Sequence, residues 1–325
     1  MEASVAGRSK VDPPAGQITR TVIIVPVYED RPAARHLFSQ IAASPHRSAH
    51  VVAVEDGSLV EPLTPGDIAA AGLSGEVIRL KRNVGHQQAI AVGLCHAAEA
   101  YPDATCIVMD SDGEDPPEAI ARMIEPLARN DVDAVVAQRR RRVASFSFRL
   151  FYSTYRMLFA VLTGEVVNFG NFMALKPVAV KRLAARPELP IHIAATLLIS
   201  ELRTERVPVN RAPRFVGVSR MNFSALVLHG FRALMVFAER VLIRVGMACA
   251  VIAALTVIGI IASVLLKSVG WATPGWFSVA LGILFLTLLQ TGTLTLISLL
   301  FTGILRGGSL APFRYRDLID EIKRT

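Results

Sequence analysis

A cluster of carboxylates follows a short apolar segment in the first half of the chain. Residues 106–109 are apolar and run directly into Asp110, Asp112 and Glu114. Such a run is typical of a buried strand of a parallel sheet, and open α/β sheets bind ligands at the carboxyl ends of these strands. Carboxylates on one turn repel each other unless a cation lies between them, and hard oxygen ligands suit Mg²⁺ or Mn²⁺ held jointly with a substrate phosphate. The segment therefore predicts a divalent-metal site beside a phosphate-bearing ligand, with a solvated acidic turn as the alternative.

The acidic residue that follows this cluster has a structural explanation. Asp115 precedes two prolines and Glu118, which is the pattern of a helix start with an N-cap, a proline in the first turn and an acidic third residue. We therefore expect Asp115 to cap a helix at about 117–129 and to take no part in metal binding.

The elements that must position the cluster alternate between strands and helices. In chain order the patterns predict strand 21–27, helix 32–43, strand 50–55, strand 77–80, helix 83–101, strand 106–109, helix 117–129 and strand 133–138. This alternation predicts an α/β fold with a mostly parallel sheet. Because several of these strands end in acidic or polar turns, we expect one ligand crevice along their carboxyl edge.

Two basic segments are candidates to supply cations to this crevice. A run of four arginines begins at Arg139, directly after the last predicted strand. It is either a solvated or membrane-facing turn, or it places at least Arg139 in the crevice against phosphate. Further along, Arg214 and Arg220 enclose a glycine and a serine. A flexible basic loop of this kind can wrap an anion through bidentate guanidinium contacts.

The composition divides the chain into a soluble-looking part and a membrane part. Of the 325 residues, 52% are apolar and only 19% are charged, which is too apolar for an ordinary soluble enzyme. Between Val245 and Leu305 the only charged side chain is Lys267, and this length accommodates two membrane crossings. Both tryptophans lie in the turn between them, and arginines flank the outer ends. The positive-inside rule therefore predicts that both termini and the α/β part are cytoplasmic; a buried helical hairpin of a soluble protein is the alternative.

Charge and cysteine content restrict the partners. The formal net charge of +8 predicts an anionic membrane surface or a phosphate-rich ligand, and no nucleic-acid-binding motif is recognised. Three cysteines without metal-ligand spacing indicate buried, reduced thiols.

These patterns divide the chain into five parts. We expect a disordered lead-in at 1–18, an α/β domain at 19–222 that ends with amphipathic and loop segments, an amphipathic juxtamembrane helix at 223–244, two transmembrane helices at 245–305 and a cytoplasmic tail at 306–325. Within the α/β domain, residues 145–162 form another amphipathic helix with arginines among phenylalanines and leucines, which suits core packing or a membrane interface.

Five short stretches carry a resemblance to a known family. They are Val25-Pro-Val-Tyr-Glu29, Glu55-Asp-Gly-Ser58, Asn83-Val-Gly85, Asp110-x-Asp112 with its Asp-Pro-Pro-Glu tail, and Gly217-Val-Ser-Arg220. In this order they resemble the family 2 glycosyltransferases of the GT-A fold, close to the polyprenyl-phosphate glycosyltransferases. That group includes dolichyl-phosphate mannose synthases and bacterial undecaprenyl-phosphate glucosyltransferases.

The resemblance implies a reaction and its partners. A GT-A, Rossmann-like domain would transfer a hexose from a UDP- or GDP-linked sugar to a polyprenyl phosphate, with inversion and with Mg²⁺ or Mn²⁺. The enzyme would be a multi-pass protein of the inner (plasma) membrane, and the resemblance allows a homo-oligomer. A lipid monophosphate is already mostly ionised at pH 7, because its second pKa is about 6. The reaction therefore needs no strong base.

The resemblance also implies roles for individual residues. Nucleotide-sugar binding is implied for Pro26, Tyr28, Glu29, Asp56, Asn83, Asp110 and Arg214. Metal binding is implied for Asp110, Asp112 and Glu114. The candidate catalytic residues are Asp112, which links the metal to the protein, and Arg139 and Arg220, which contact the donor diphosphate or the lipid phosphate.

The chain departs from the family pattern at four positions, and two other functions compete with the one that the resemblance implies. Glu55 stands where the family usually has Asp, Glu114 where it often has Gln, Asn171 where it commonly has Asp or Ser, and Arg220 where it has Lys. Asn171 cannot act as a general base at neutral pH. A processive polysaccharide synthase is the first alternative, but it would need a Gln-x-x-Arg-Trp motif, and the two tryptophans lie between the apolar spans, which argues against it. A non-catalytic membrane scaffold with the same fold would show no metal-dependent turnover.

Overall fold

The computed structural model of the protein describes residues 21–139, 146–166, 169–215, 223–271, 273, 275–307 and 313–325. In this part of the chain, an eight-stranded sheet lies between two apolar cores, and two long helices pack against each other beyond it. The strands are β1 Thr21–Val27, β2 His50–Glu55, β3 Ser74–Leu80, β4 Thr105–Val108, β5 Ala134–Arg139, β6 Met173–Leu175, β7 Thr204–Val209 and β8 Ile319–Arg324.

The sheet is mixed but mostly parallel, as the alternation of elements predicts. The spatial order is β7-β5-β6-β4-β1-β2-β3-β8. Neighbouring pairs within β4-β1-β2-β3 are parallel, as is the pair of β5 and β7. Only β6, which lies between β4 and β5, and the edge strand β8 run antiparallel to their neighbours.

The central strands are buried on both faces, which is why they read as unbroken apolar runs. In β1, Val22 and Ile24 pack into one core, while Ile23 and Val25 pack into the other. A Cβ added at Gly93 would lie 2.5 Å from Cγ2 of Ile24. The glycine therefore lets the helix at 86–100 lie unusually close to the sheet, and this helix carries part of the crevice at its N-terminus.

Among the described residues, the α/β part contains the four helices predicted above and three more. They are α1 Arg31–Ala43, α2 Pro65–Ala70, α3 His86–Ala100, α4 Ala119–Ile124, α5 Phe146–Thr163, α6 Pro177–Ala184 and α7 Ile193–Ile199. The predicted helix at 117–129 is shorter than expected, because the chain changes from α-helix to a 3₁₀ turn at Glu125–Ala128. Proline at 126 explains the change, since its ring disfavours the preceding helical turn.

The predicted juxtamembrane helix at 223–244 is divided in two. Helix α8 (Phe223–Val236) ends before Phe237, and α9 (Ala238–Ser268) continues through the apolar region. Phe237 is 1% exposed and its ring packs edge-on against Phe159 of α5 at 5.6 Å. The break therefore places an aromatic anchor in a small core between α5 and α8.

Two helices are long and apolar enough to cross a membrane, and they support membrane association of the chain. They are α9 and α10 (Trp276–Gly307). Few of their side chains are buried, 17% and 11% of the most apolar windows. A soluble helical hairpin would expose this surface to water at a large free-energy cost.

Both ends of this hairpin are attached to the α/β part. Near the start of α9, Arg244 donates from Nη1 to the carbonyl oxygen of Val161 at 2.7 Å, and Arg240 lies 3.2 Å from Oε1 of Glu165. After α10 the chain returns to the sheet as β8, which pairs with β3. The hairpin therefore begins and ends on the side of the sheet.

The return of the chain corrects the prediction of a tail at 306–325. Residues 315–318 form a 3₁₀ turn and 319–324 form the last strand of the sheet. Sequence analysis missed this strand because Ile-Asp-Glu-Ile-Lys-Arg has only two apolar residues, as an exposed edge strand requires. It also missed β7, which carries a proline at 208 and lies at the opposite edge of the sheet.

A buried carboxylate joins the C-terminal strand to the core. Glu76 of β3 is 0% exposed and accepts hydrogen bonds from His96 at 2.7 Å, Tyr101 at 2.9 Å and Arg324 at 3.2 Å. Burial raises the pKa of Glu76, but these hydrogen bonds outweigh burial and lower it to about 2. The ionised carboxylate therefore stabilises the folded state.

This arrangement predicts a specific acid sensitivity. Because the folded-state pKa of Glu76 lies below its unfolded value, its stabilisation is present above the unfolded pKa of about 4.3 and is lost as the pH falls towards 2. We expect Glu76→Gln to lower the free energy of unfolding at pH 7 by on the order of 3 kcal/mol, and to lose less stability than the wild type between pH 5 and 3. The measurement is chemical unfolding followed by circular dichroism. Glu321→Gln, a partly exposed carboxylate of β8 that pairs with Lys323, is the control, and parallel pH profiles of wild type and Glu76→Gln contradict the assignment.

Candidate active site

The carboxyl ends of β1, β2 and β4 meet at one edge of the sheet and bring the predicted acidic residues together. The backbone fixes this edge, because Asp56 donates from its N–H to Val27 at 2.8 Å and Met109 donates to Ile24 at 3.2 Å. Tyr28 is 45% exposed there, whereas Pro26 is buried within β1. Asn83 lies at the same edge and is exposed.

The acidic residues at the ends of β1 and β2 shape the edge of the crevice. Glu29 has a φ of +47°, donates its N–H to Oγ of Ser58 at 2.8 Å and accepts the N–H of Leu59 on Oε1 at 2.7 Å. Glu55 is fully buried and accepts the N–H groups of Ser58 at 3.0 Å and Leu63 at 2.6 Å. The longer side chain at 55 thus reaches the loop at 58–63, which gives a structural reason for glutamate at this position.

Asp56 is held by the loop before α3. Its two oxygens accept the N–H groups of Val84 at 2.7 Å and Gly85 at 3.0 Å. Burial raises the pKa of Asp56, and these two hydrogen bonds counteract it. Gly57 has a φ of +72°, and a Cβ there would lie 2.5 Å from the backbone carbon of Arg82. Only glycine therefore allows the ends of β2 and β3 to approach so closely.

Asp115 closes the acidic turn and does not cap the helix. Its Oδ2 accepts the N–H of Asp110 at 3.2 Å, and the side chain is buried. The N-cap of α4 is Glu118, so the predicted N-cap was wrong. A buried carboxylate is stabilised where backbone N–H groups face it, and here the nearest donor is in the turn itself.

The segment 211–215, which we call the arginine segment, folds back from β7 over the acidic turn. Ala212 donates its N–H to the carbonyl oxygen of Glu114 and Phe215 donates to that of Asp112, both at 3.1 Å. The ring of Phe215 covers Gly113, where φ is +84° and any Cβ would overlap the ring. The same ring contacts His36 edge-on at 4.3 Å.

Two guanidinium groups of this segment pair with the turn. Arg214 lies 2.8 Å from Oδ2 of Asp112 through Nη2 and 3.2 Å from Oε1 of Glu114 through Nε. Arg211 lies 2.5 Å from Oε2 of Glu114. Glu114 is only 2% exposed, and a carboxylate at this depth requires such partners.

The donor set fits a divalent ion at two of the three predicted ligands. Asp110 and Asp112 offer hard oxygens on one turn, with one oxygen of Asp112 paired with Arg214, whereas arginines engage both oxygens of Glu114. Burial raises the pKa of Asp112, and the nearby charge of Asp110 adds to this. A cation at the turn relieves that excess of negative charge. Among the residues that the structure describes, no three acidic, histidine or cysteine side chains are already arranged around a metal position.

His86 is a site residue that sequence analysis missed. It begins α3, and its Nε2 lies 3.2 Å from Oδ1 of Asp110 and 3.0 Å from Nδ2 of Asn171. Burial lowers the pKa of His86, but the carboxylates of Asp110, Asp112 and Asp56 outweigh burial and raise it. Its position directly after the Asn-Val-Gly motif, at the end of a strand of the same edge, was the signal that could have identified it.

A chain of amides determines what His86 faces. The N–H of Ile193 donates to Oε1 of Gln87 at 2.7 Å, so Gln87 must donate from Nε2 to Oδ1 of Asn171, at 3.2 Å. Asn171 therefore presents its NH₂ group to Nε2 of His86, which requires a lone pair on that nitrogen. The same nitrogen lies 3.2 Å from Oδ1 of Asp110, whose negative charge favours the protonated ring. His86 thus responds to any change in the charge of Asp110.

The remaining predicted arginines are placed only in part. The backbone of Arg139 ends β5, beside β6 and β7, and its side chain lies outside the description. Arg220 lies outside the described residues altogether. Cys95, Cys106 and Cys249 are free and buried, as predicted.

Comparisons with known proteins give the same picture as the motifs. Residues 22–178 match the model of glycosyl transferase family 2. The chain is 24% identical over 222 residues to the undecaprenyl-phosphate 4-deoxy-4-formamido-L-arabinose transferase of Sodalis glossinidius, a match that covers 65% of each chain. It is 27% identical over 239 residues to the bactoprenol glucosyl transferase of Shigella phage SfV, which covers 69% of this chain and 75% of that protein.

Solved structures share the fold. Glucosyl-3-phosphoglycerate synthase from Mycobacterium tuberculosis, in a complex with Mn²⁺, UDP and glucosyl-3-phosphoglycerate, superposes with a TM-score of 0.50 at 14% identity. The match covers 71% of this chain and 86% of that chain. The predicted GT-A fold and the predicted resemblance are confirmed by these matches.

The amide chain yields a test of the environment of His86. In Asn171→Asp the NH₂ donor is replaced by a second acceptor, so we expect the pKa of His86 to rise further because its cationic form gains a partner. The measurement is the ¹⁵N and ¹H NMR titration of histidine rings in detergent micelles, with the His86 signals assigned by their absence in His86→Gln. Asn83→Asp adds the same charge nearby and is the control. An unchanged titration of His86 in Asn171→Asp contradicts the amide chain.

Proposed function

We propose that the chain, whose residues 22–178 match glycosyl transferase family 2, transfers a hexose from a nucleotide-diphosphate sugar to a polyprenyl phosphate at the membrane surface. The observation that carries the proposal is the acidic turn at the carboxyl end of β4, with two arginines against it, in a chain with two apolar helices. The relatives named for undecaprenyl-phosphate and bactoprenol substrates support the lipid acceptor.

The donor would bind along the carboxyl edge of the sheet. Tyr28, half-exposed at the end of β1, and Asp56 face the side where the base and ribose are expected. Asp110 and Asp112 would hold the divalent ion, which supplies positive charge to the departing diphosphate. Glu29 and Asn83 would line the same side, with Glu29 also ordering the loop at 58–60.

The reaction we propose is a single displacement. An oxygen of the lipid phosphate forms a bond to the anomeric carbon, the bond from that carbon to the diphosphate breaks, and the configuration inverts. Since the phosphate is already ionised, the protein mainly aligns the reactants and stabilises the leaving group. Arg214 is close enough to the turn to reach a diphosphate there, and Arg139 and Arg220 remain predicted phosphate contacts.

The membrane arrangement follows from the hairpin. We propose that α9 and α10 cross the inner membrane and that the sheet lies on the cytoplasmic side. The attachment of both hairpin ends to the α/β part supports an even number of crossings. Arg240, Arg244, Arg314 and Arg316 lie at these ends, in keeping with the positive-inside rule. The exposed apolar residues of α5 and α8, such as Met157 and Phe231, suit the membrane interface.

The activity is tested with purified protein and undecaprenyl phosphate. A panel of UDP- and GDP-linked sugars is supplied with Mg²⁺ or Mn²⁺, and the lipid product is identified by mass. We expect one glycosyl-lipid, its loss with chelator, and a fall of at least a hundredfold in Asp112→Asn. Asp131→Asn, an exposed carboxylate paired with Arg129, should act like the wild type. A polysaccharide product would favour the processive synthase instead, and no metal-dependent turnover with any sugar would favour a scaffold.

The membrane arrangement is tested separately with reporter fusions. Fusions at Met1 and Thr325 should both report the cytoplasm, while a fusion within 270–275 should report the opposite side. A short linker is needed at Thr325, because its backbone N–H donates to Gly75 in the sheet. A cytoplasmic signal from the 270–275 fusion would rule out two crossings.

A further inference from the structure

One guanidinium group already occupies the position between two predicted metal ligands. Arg214 bridges Asp112 and Glu114, with Nη2 2.8 Å from the first carboxylate and Nε 3.2 Å from the second. The bridge is partly sheltered, since the side chain of Arg214 is 28% exposed and that of Asp112 is 15% exposed. The backbone of the arginine segment is itself fastened to the turn, so this contact is built into the fold.

We propose that Arg214 is the resident counter-cation of the acidic turn. A divalent ion then binds Asp112 only when it arrives with a nucleoside diphosphate, whose phosphate oxygens take over the guanidinium of Arg214. This inference rests on the proposed function, because it presumes that the turn receives a metal with a diphosphate. It adds an order of binding, in which the free ion does not bind first.

The chemistry of arginine supports this order. A guanidinium group is not deprotonated in proteins, so it leaves a carboxylate only when another acceptor replaces that carboxylate. A free divalent ion offers no acceptor and repels the guanidinium. A diphosphate offers oxygens that match the guanidinium geometry. When the ion and the diphosphate arrive together, the ion can pair with Asp112 while the diphosphate pairs with Arg214. No buried charge is then left without a partner.

Glu114 has a different part in this scheme. Its carboxylate contacts Arg211 on one oxygen and Arg214 on the other, so it positions the arginine segment and is not a metal ligand in our proposal. Glutamine here would offer one oxygen and an NH₂ group that faces a guanidinium. The additional negative charge at 114 is thus matched by Arg211.

The test is the binding of Mn²⁺ to the full chain in detergent micelles. Free Mn²⁺ is measured by its electron paramagnetic resonance signal, without nucleotide and with UDP or GDP, and Asp112→Asn supplies the background from other sites. We expect wild type to bind Mn²⁺ at least tenfold more tightly with one of the nucleotides than without. Without nucleotide, we expect Arg214→Met to bind Mn²⁺ at least about tenfold more tightly than wild type. The reason is that the charge-assisted contact between Arg214 and Asp112 no longer competes with the ion.

A matched control separates the effect of direct contact between an arginine and Asp112 from the effect of losing one positive charge. Arg211→Met removes the same charge from the same segment, but Arg211 pairs with Glu114, whereas Arg214 pairs with both Glu114 and Asp112. We expect its gain in Mn²⁺ affinity to stay below about threefold, a factor smaller than that of a direct contact. Equal gains in both variants, or no gain in Arg214→Met, overturn the proposal.

Two further readouts keep the test decisive. If Arg214→Met does not fold, Arg214→Gln replaces it; its neutral amide can still donate to a carboxylate but carries no positive charge, so a gain in Mn²⁺ affinity is still expected and its absence overturns the proposal. Mn²⁺ binding that is equally tight with and without nucleotide overturns the order of binding but leaves the proposed function intact. If wild type binds Mn²⁺ no better than Asp112→Asn even with UDP or GDP, the metal-dependent function itself fails.

Discussion

The crowding of carboxylates at one edge of a buried sheet is the constraint on which the rest of the structure depends. Each of these groups lies where water is scarce, and each must be met by an N–H group or a cation. The carboxylates and their partners are Glu55 with the loop at 58–63, Asp56 with the loop at 84–85, Asp115 with Asp110, and Asp112 and Glu114 with the arginine segment. The loops of the crevice take their shape from these contacts, so the binding surface is formed before any ligand arrives.

Much of this edge could be predicted from the sequence. Apolar runs that end in Asp, Glu or Gly identify the strands and the side of the sheet at which their ends meet, since that signal is local. The partners of the acidic residues could not be predicted. Glu114 pairs with Arg211 across 97 positions of the chain, and Asp112 pairs with Arg214 across 102. Contacts over such separations depend on how β7 and the arginine segment return to the turn, and nothing in the local pattern records that path.

The same distinction explains the errors at the ends of elements. The prediction that Asp115 is an N-cap used a correct local rule. In the folded turn, however, its carboxylate accepts the N–H of Asp110, and Glu118 is the N-cap. The helix at 223–244 looked continuous because its apolar pattern is continuous, whereas the break at Phe237 comes from packing against α5. His86 was overlooked because a lone histidine after a glycine motif has no pattern of its own. Its significance comes from Asp110 and Asn171, which are supplied by other strands and turns.

The position of β8 makes completion of the sheet depend on the two apolar helices that precede it. During synthesis β1 to β7 emerge before α9 and α10, so the α/β part is made with the edge of β3 unpaired. An exposed strand edge is a template for aggregation. Only after both apolar helices have been made and the chain has returned to the sheet can Ile319–Arg324 cover that edge and bring Arg324 to Glu76. A chain in which the hairpin does not bring its end back to the sheet therefore keeps the edge of β3 open, so closure of the sheet reports that both apolar helices are in place.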